Sequence, residues 1–206
     1  MCTLARMAVR EKPGRTTTPV RAARRYDPER KSRIIDAALG VVAEHGVAGT
    51  THRRIAAAAD VPLGSLTYHF TGLEDLLEQA FTRHAERMSP YYEAHFDAVG
   101  TREQFIDAVT DLMHDLTTVG TADDAHDWAI SYELYLAALR NPALRKVTES
   151  WMRRSRAVLE RFVDPLTARG VDAMIEGLVM HMMLSTVSFP RADTRALVAR
   201  AVGAEQ

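Results

Sequence analysis

The chain of 206 residues lacks several features that would place it in other protein classes. Cys2 is its only cysteine, which excludes an internal disulfide and any site built from several cysteines, and fits a reducing cytoplasm. Its longest apolar stretch, Gly177 to Val187, contains His181 and is well short of the roughly 20 residues that a membrane-spanning helix needs. No segment alternates as a strand does, and no apolar run follows the N-terminal arginines. The sequence therefore predicts an all-α cytoplasmic protein with no membrane partner and no secretory signal.

Charge is unevenly distributed along the chain. The 26 Lys and Arg residues nearly balance the 27 Asp and Glu residues, for a net charge of −1. Residues 1–72, however, hold 12 basic and 6 acidic residues, for +6, so the remainder carries −7. A basic end joined to an acidic remainder indicates that the basic end faces a polyanion, most commonly nucleic acid. Chance clustering of surface charge is the alternative.

The first 25 residues concentrate this positive charge. Seven basic residues precede Tyr26, and they are interspersed with Pro13, Gly14, Pro19 and three threonines. A stretch of this composition cannot bury a core. We therefore predict that residues 1–25 form a flexible basic arm.

Helical signals begin directly after this arm. Asp27-Pro28-Glu29 supplies an N-cap, a proline at the first helical position and an acid in the first turn, and Gly46 is placed to end the same helix. Pro62 ends a second helix, because proline disfavours the helical conformation in the residue before it. We predict helices over residues 27–45, 50–59 and 64–70. Three short helices with a tight turn between the last two are the skeleton of a helix-turn-helix.

Helical periodicity continues after Gly72 in longer segments. We expect a connecting helix that ends near Pro90, a break marked by Pro165 and Gly170, and a short helix after Asp193. Between these points we predict further helices over about residues 105–116, 128–139, 143–162 and 171–189. Asp107, Asp111 and Asp115 lie at four-residue spacing, which favours a solvated acidic face over a metal site.

The motif that carries the function reads THRRIAAAADVPLGSLTYHF over residues 51–70 and LEDLL over residues 73–77. It resembles the DNA-binding signature of the TetR/AcrR family of bacterial repressors, and the resemblance spans roughly residues 29–77. The shared features are a threonine that opens the helix, Ile-Ala after it, an apolar-Pro turn, Gly-Ser-Leu, a Tyr-His-Phe ending and Glu-x-Leu-Leu.

The resemblance implies an N-terminal three-helix helix-turn-helix DNA-binding domain and a C-terminal helical ligand-binding and dimerisation domain. We place the boundaries at residues 1–25 for the arm, 26–72 for the DNA-binding domain and 73–206 for the helical domain. It also implies a double-stranded DNA operator as partner and a homodimer.

Individual DNA contacts follow from side-chain chemistry. Thr51 opens a helix whose free N–H groups favour a phosphate, and Arg53 and Arg54 present guanidinium groups that pair with phosphate or guanine. Gly64 allows the third helix to approach the major groove closely. The polar and aromatic side chains of that helix then reach the depth of the groove. The predicted DNA-contacting residues are Thr51, Arg53, Arg54, Gly64, Ser65, Thr67, Tyr68 and His69.

Two positions depart from the family pattern. Thr67 stands where the family commonly has a tyrosine that contacts phosphate, and Tyr68 follows it. Leu73 stands where a lysine usually precedes the glutamate of the fourth helix, and leucine cannot bond a phosphate. The contacts at these two positions are therefore not carried over from the family.

The acidic remainder offers candidates for a second site. His114, Trp128, Tyr132 and Tyr135 lie on helices that we expect to be largely buried, yet their polar tips need partners. Aromatic walls with few polar groups suit a small, largely apolar ligand, and plain core packing is the alternative. For the dimer interface we predict a four-helix bundle that uses Trp151, Val158, Met174, Gly177 and Leu178.

These observations predict a DNA-binding transcriptional regulator that acts as a repressor and releases a palindromic operator when a small molecule of unknown identity binds. The alternative is a dimeric DNA-binding regulator with no small ligand, whose C-terminal domain serves dimerisation or a protein partner. The eight histidines show none of the spacings of a metalloenzyme, and no nucleophile motif is present. We therefore expect no enzymatic activity, no cofactor and no metal.

Overall fold

Residues 27–117 and 122–203 are described by the computed structural model. Within these ranges the chain forms nine helices and no strand, so the all-α prediction is confirmed. The predicted arm, residues 1–25, lies outside the described residues. The helices are α1 (Arg30–Gly49), α2 (His52–Ala58), α3 (Gly64–His69), α4 (Leu73–Ala94), α5 (Arg102–Thr117), α6 (Ala122–Ala138), α7 (Pro142–Leu159), α8 (Pro165–Leu184) and α9 (Arg191–Val202).

No helix in the described part of the chain is long and apolar enough to cross a membrane.

One apolar core holds α1, α2, α3 and the first half of α4 together. Ile34, Ile55, Leu66 and Phe81 are fully buried in it. The same core continues into α6 and α7, where Leu134 is also fully buried. Because each such side chain contributes about 1.5–3 kcal/mol, this core fixes α3 relative to α6 and α7 as well as to its own unit.

A second core lies at the opposite end of the helical domain. It joins α5 to α8 and α9, and Leu112, Val171 and Val198 are fully buried in it. Phe105 and Phe162 stack with ring centroids 5.3 Å apart, and Phe96 lies 6.0 Å from each of them. The predicted apolar stripe of α5 is thus its buried face.

Capping residues set several helix ends as the sequence predicts. The Thr51 Oγ1 accepts a hydrogen bond from the Arg54 N–H at 3.3 Å and caps α2. Gly46 takes φ +66°, in the left-handed region that glycine tolerates, and ends the regular part of α1. One turn continues beyond it to Gly49, and this extension was not predicted.

The structure corrects three predicted helix ends. Helix α4 continues through Pro90 to Ala94, although Pro90 removes one N–H from the helix. Packing of α4 against α7 holds both sides of the proline in line, and the Ser89 hydroxyl donates to the Ala85 carbonyl at 2.8 Å. The break between the last long helices covers residues 160–164 and ends at Asp164, whose side chain caps α8, with Pro165 at the first helical position. Gly170 lies inside α8, which ends at Leu184 rather than near residue 189.

Candidate functional site

A tight turn positions α3 on the surface. Asp60 takes φ +50°, and the Val61 N–H donates to the Ala56 carbonyl at 3.0 Å. The Ser65 N–H donates to the Pro62 carbonyl at 2.8 Å, so the turn passes directly into α3. With Leu66 fully buried, the opposite side of α3 faces outward.

We call one surface of α3, with the N-cap and first turn of α2, the recognition face. It comprises the exposed Thr51, Arg53, Arg54, Gly64, Thr67 and Tyr68 and the half-buried His69. Tyr68 is 82% exposed, and Ser65 is the one predicted residue that the structure buries, at 4% exposure. A tyrosine ring held so far out of the core gains nothing from folding. Its position is therefore suited to a partner.

Local hydrogen bonds orient part of the recognition face. The Arg54 guanidinium donates to the Gly49 carbonyl, and the Thr67 hydroxyl donates to the Gly64 carbonyl at 3.2 Å. The rings of Tyr68 and His69 meet edge to face with centroids 4.9 Å apart. A Cβ added at Gly64 would meet no atom of the chain within 4 Å, so the space above this glycine is open.

Sequence reasoning missed two residues beside the recognition face. Leu63 is 51% exposed at the start of α3, where an apolar side chain suits the methyl group of a thymine. Lys31 on α1 lies over the Phe70 ring, 5.5 Å from its centroid, and adds a positive charge near the end of α3. Neither shows in the motif, because Leu63 reads as part of the turn and Lys31 lies 20 residues before it.

A second candidate site lies between α4, α6, α7 and α8. We call it the aromatic cavity, and its volume of about 30 Å³ leaves space for about one water molecule. Two larger depressions, of about 480 and 450 Å³, lie on the surface away from these aromatic residues and are lined largely by polar groups. Residues lining the aromatic cavity include Met88, Tyr92, Trp128, Trp151, Ile175 and Glu176.

The carboxylate of Glu176 is a polar group in the wall of the aromatic cavity. The Tyr135 hydroxyl donates to Glu176 Oε1 at 2.7 Å, and the Tyr132 hydroxyl lies 3.5 Å from the Glu176 carbonyl. Among the described residues, neither the buried Glu176 Oε2 nor the buried Tyr92 hydroxyl has a hydrogen-bond partner. Burial raises the pKa of Glu176 to about 7, against the opposing effect of the Tyr135 bond. Burial likewise raises the pKa of Tyr92.

The four predicted ligand residues do not lie together. Trp128, Tyr132 and Tyr135 form a chain of ring contacts, with successive centroids 5.8 and 6.3 Å apart, and Tyr135 continues it to Trp151 at 5.9 Å. His114 points elsewhere, since its Nε2 lies 2.8 Å from the Thr194 hydroxyl on α9. Its role as a ligand residue stays a prediction without support from this geometry.

The five predicted interface residues also separate into two groups. Trp151 and Val158 are 8% and 7% exposed and pack within the single chain, whereas Met174, Gly177 and Leu178 are partly exposed on α8. Further apolar side chains on α8 are exposed beside them, namely Leu166, Met180 and Leu184. An interface along α8 would therefore use the exposed side of that helix. Trp151 and Val158 would pack beneath it and make no contact with a second copy.

Polar contacts join α6, which carries Trp128, Tyr132 and Tyr135, to the N-terminal unit formed by α1, α2, α3 and the first half of α4. The Val47 N–H, freed by the turn at Gly46, donates to the Glu133 carboxylate at 2.7 Å. His84 on α4 meets the Ser131 hydroxyl at 2.8 Å, and burial lowers the pKa of His84 to about 4, which keeps it neutral. Both contacts connect α6 to the helices that carry α3.

The acidic face of α5 is paired with basic residues. Asp107 accepts a hydrogen bond from Arg195 at 2.7 Å, and Asp111 accepts one from Arg191 at 2.7 Å. Asp115 lies 3.1 Å from His95. In the part of the chain that the structure describes, no group of three or more His, Cys, Asp or Glu residues is placed to hold a metal ion.

Two family models match the chain. Residues 34–80 match the model described as bacterial regulatory proteins, tetR family, and residues 100–204 match the Tetracyclin repressor-like, C-terminal domain. The HTH-type transcriptional regulator CymR of Pseudomonas putida is 30% identical over 145 residues, which cover 70% of this chain and 68% of CymR.

Solved structures are similar over most of the chain. The transcriptional regulator SCO7518 of Streptomyces coelicolor A3(2) is 45% identical with a TM-score of 0.79, over 86% of this chain and all of that chain. The multidrug binding protein EbrR complexed with ethidium is 38% identical with a TM-score of 0.69, again over 86% of this chain and all of that chain.

Proposed function

The chain belongs to the TetR family of DNA-binding transcriptional regulators, and from this premise we propose that it is a dimeric repressor that releases a palindromic operator when a small molecule occupies the aromatic cavity. The expectation that the chain is not an enzyme is confirmed by this family membership. Its place of action under this proposal is the cytoplasm, where bacterial promoters lie. The proposed division of labour assigns DNA to residues 26–72 and the effector and dimer to residues 73–206.

The observation that carries the DNA-binding part is the recognition face. The polar side of α3 is held outward by a fully buried Leu66, and Tyr68 in the last turn of α3 is 82% exposed. An α-helix presented in this way enters the major groove, where its side chains meet base edges and phosphates. The open space above Gly64 supports close approach of the α3 backbone to DNA.

The exposed apolar side of α8 supports the dimer. Leu166, Met180 and Leu184 are 79%, 38% and 78% exposed, and Gly177 leaves a position where another helix can approach closely. Two copies of this side, related by a two-fold axis, would cover each other's apolar groups. A two-fold dimer presents two copies of α3, which explains why we expect a palindromic operator.

The walls of the aromatic cavity support release by a ligand. Solved structures of EbrR are complexes with imidazole, ethidium and malachite green, which supports a small-molecule site in a chain of this fold. At about 30 Å³ the cavity cannot admit such a molecule without opening, and Met88 and Tyr92 in its wall belong to α4. Since α4 also carries the N-terminal core, opening the cavity displaces the helix that positions α3. A ligand that binds only the opened form therefore shifts the protein away from the DNA-binding form.

The proposal is tested by selecting bound duplexes from a random pool and measuring affinity for the selected sequence. We expect a palindrome whose half-site centres are about 34–36 Å apart, or a multiple of that helical turn. Sedimentation of the free protein at micromolar concentration should give a dimer. Recovery of no preferred sequence, or a monomer that binds single half-sites, would contradict the proposal.

The arm belongs to the same proposal. Seven basic residues before Tyr26 would lie along phosphates or in the minor groove and add affinity that depends little on sequence. A chain that starts at Tyr26 should bind more weakly and with a smaller salt dependence, while it keeps its preference among sequences. An unchanged salt dependence after truncation would remove the arm from the interface.

A further inference from the structure

The turn between α2 and α3 holds an exposed leucine at the edge of the recognition face. Resting on the DNA binding proposed above, we propose that Leu63 is a specificity-determining residue, which packs against the C5-methyl group of a thymine in each half-site of the operator. The juxtaposition that carries this inference is an exposed apolar side chain beside an open glycine, on a helix that has no Arg, Lys, Asn or Gln.

Leu63 lies outside the apolar core of the N-terminal unit. It is 51% exposed, whereas the next apolar residue, Leu66, is fully buried in that core. The Leu63 backbone already has helical angles, with φ −52° and ψ −38°, and its carbonyl accepts a hydrogen bond from the Leu66 N–H at 3.1 Å. The direction of the Leu63 Cα–Cβ bond is therefore fixed relative to α3, although the side chain itself is not part of the core.

The neighbours of Leu63 leave its side chain accessible to a base. Residues four apart lie on the same side of a helix, so Leu63 and Thr67 form one strip along α3. The Thr67 hydroxyl donates to the Gly64 carbonyl at 3.2 Å, so its proton is already used within α3. A Cβ added at Gly64 would meet no atom within 4 Å. No side chain at position 64 therefore keeps a base edge away from Leu63.

The composition of α3 restricts the base edges that this helix can read. Its six residues, GSLTYH, include no Arg, Lys, Asn or Gln, which are the side chains that make paired hydrogen bonds to guanine or adenine. Among the groups that the four bases show in the major groove, the methyl group of thymine is the apolar one. Contact with Leu63 would remove apolar surface of both groups from water, whereas a polar base edge would lose water and gain no hydrogen bond. Thymine is therefore the base that Leu63 favours.

The chemistry of a leucine also separates this contact from the rest of the interface. An aliphatic side chain cannot bond a phosphate, and phosphate contacts carry the part of the affinity that does not depend on sequence. Leu63 should therefore affect the choice of bases and leave the salt dependence of binding unchanged.

Deletion of single methyl groups from the selected operator tests the inference on the full-length protein. Replacing a thymine by deoxyuridine in both half-sites removes the methyl group and keeps every hydrogen-bonding group of the base. At one thymine position of the half-site, we expect the Kd of the wild-type protein to rise about 15-fold, because each buried methyl group changes the affinity about fourfold and the dimer buries two.

Variants of Leu63 then assign that methyl group to this side chain. Leu63→Ala should bind the thymine and the deoxyuridine duplexes within about twofold of each other. Leu63→Met keeps an apolar side chain of similar volume and should restore most of the difference. Tyr68→Ala is the matched control, because it weakens binding through another exposed residue of α3 and should keep a difference of about 15-fold at that thymine.

Three results would overturn the inference. These are a preferred half-site that contains no thymine, a wild-type Kd that deoxyuridine changes at no thymine of the half-site, and a deoxyuridine effect that persists in Leu63→Ala. Each of them leaves the selection of an operator by the wild-type protein standing, and with it the proposed DNA binding. Failure to select any duplex from the random pool would overturn the proposed DNA binding, and this inference with it.

Discussion

The N-terminal unit, formed by α1, α2, α3 and the first half of α4, and helix α8 hold acidic side chains in opposite ways. In the N-terminal unit, Asp75 accepts hydrogen bonds from the Thr71 N–H at 2.8 Å and from Gln79 at 2.6 Å, and these bonds lower its pKa. On α8, burial dominates and raises the pKa of Glu176 to about 7 and that of Asp172 to about 6. Hydrogen bonds therefore stabilise the charged form of Asp75, whereas burial disfavours the charged forms of Asp172 and Glu176.

This difference separates a carboxylate whose bonds are made from one that leaves a bond unmade. Asp75 bonds Thr71, which follows α3, to the start of α4. Glu176 Oε2 has no hydrogen-bond partner among the described residues, and it faces a cavity of about 30 Å³. A ligand that bonds this oxygen would have to open the cavity and so change the packing around it. The shared core and the contact between Val47 and Glu133 connect the two parts.

The largest effect should come from the core that the two regions share. Leu134→Ala on α6 removes a fully buried side chain and should lower the free energy of unfolding by about 2–5 kcal/mol. Hydrogen exchange should then show weaker protection in α1 as well as in α6. Leu136→Ala, on the same helix at 58% exposure, is the matched control and should cost less than about 0.5 kcal/mol. Loss of protection in α6 alone would mean that the two regions fold separately.

Removing the polar link should have the next largest effect. Glu133→Ala leaves the Val47 N–H without its carboxylate and should lower the free energy of unfolding by about 1.5–3 kcal/mol. Chemical denaturation measures this change. Glu149→Ala, an exposed residue of α7, is the control. Equal effects of the two substitutions would show that the contact between Glu133 and Val47 stabilises nothing.

A change on the recognition face should affect DNA and leave the fold intact. Tyr68→Ala should weaken operator binding by about 1–3 kcal/mol, because it removes an exposed ring from the last turn of α3. Leu139→Ala, at 72% exposure just after α6, is the control, because it removes an exposed apolar side chain away from that face. Thermal unfolding should be nearly unchanged in Tyr68→Ala. Operator affinity equal to wild type would remove Tyr68 from the interface.

The smallest effect should be the pH dependence of stability in the helical domain. The raised pKa of Glu176 means that the folded chain binds a proton that the unfolded chain releases near pH 4.5. Stability should therefore fall as pH rises from about 4.5 to about 7 and then level off. Glu176→Gln should flatten this fall, measured by denaturation at several pH values. A wild-type and a variant curve that run parallel would contradict the raised pKa.

Local signals explain which parts of the structure were predictable. Thr51, Gly46 and Pro62 act on neighbours a few residues away, so their motif and spacing predicted the helix-turn-helix. Pro90 was read as a helix end, and it lies inside α4 because packing against α7 outweighs one lost N–H. The partner of a buried side chain depends on packing between distant helices. Sequence reasoning therefore grouped His114 with Trp128, although His114 contacts Thr194, and it did not identify Glu176 as a site residue.

Under the proposed function, the aromatic cavity and the recognition face are coupled through α4 and α6. A thermal-shift screen of the free protein identifies a small molecule that stabilises it, and the affinity for the selected operator is then measured with and without a saturating amount of that molecule. We expect the molecule to weaken operator binding about 5–150-fold, corresponding to a coupling of about 1–3 kcal/mol. An operator affinity that stays the same while calorimetry shows the cavity to be saturated would contradict it.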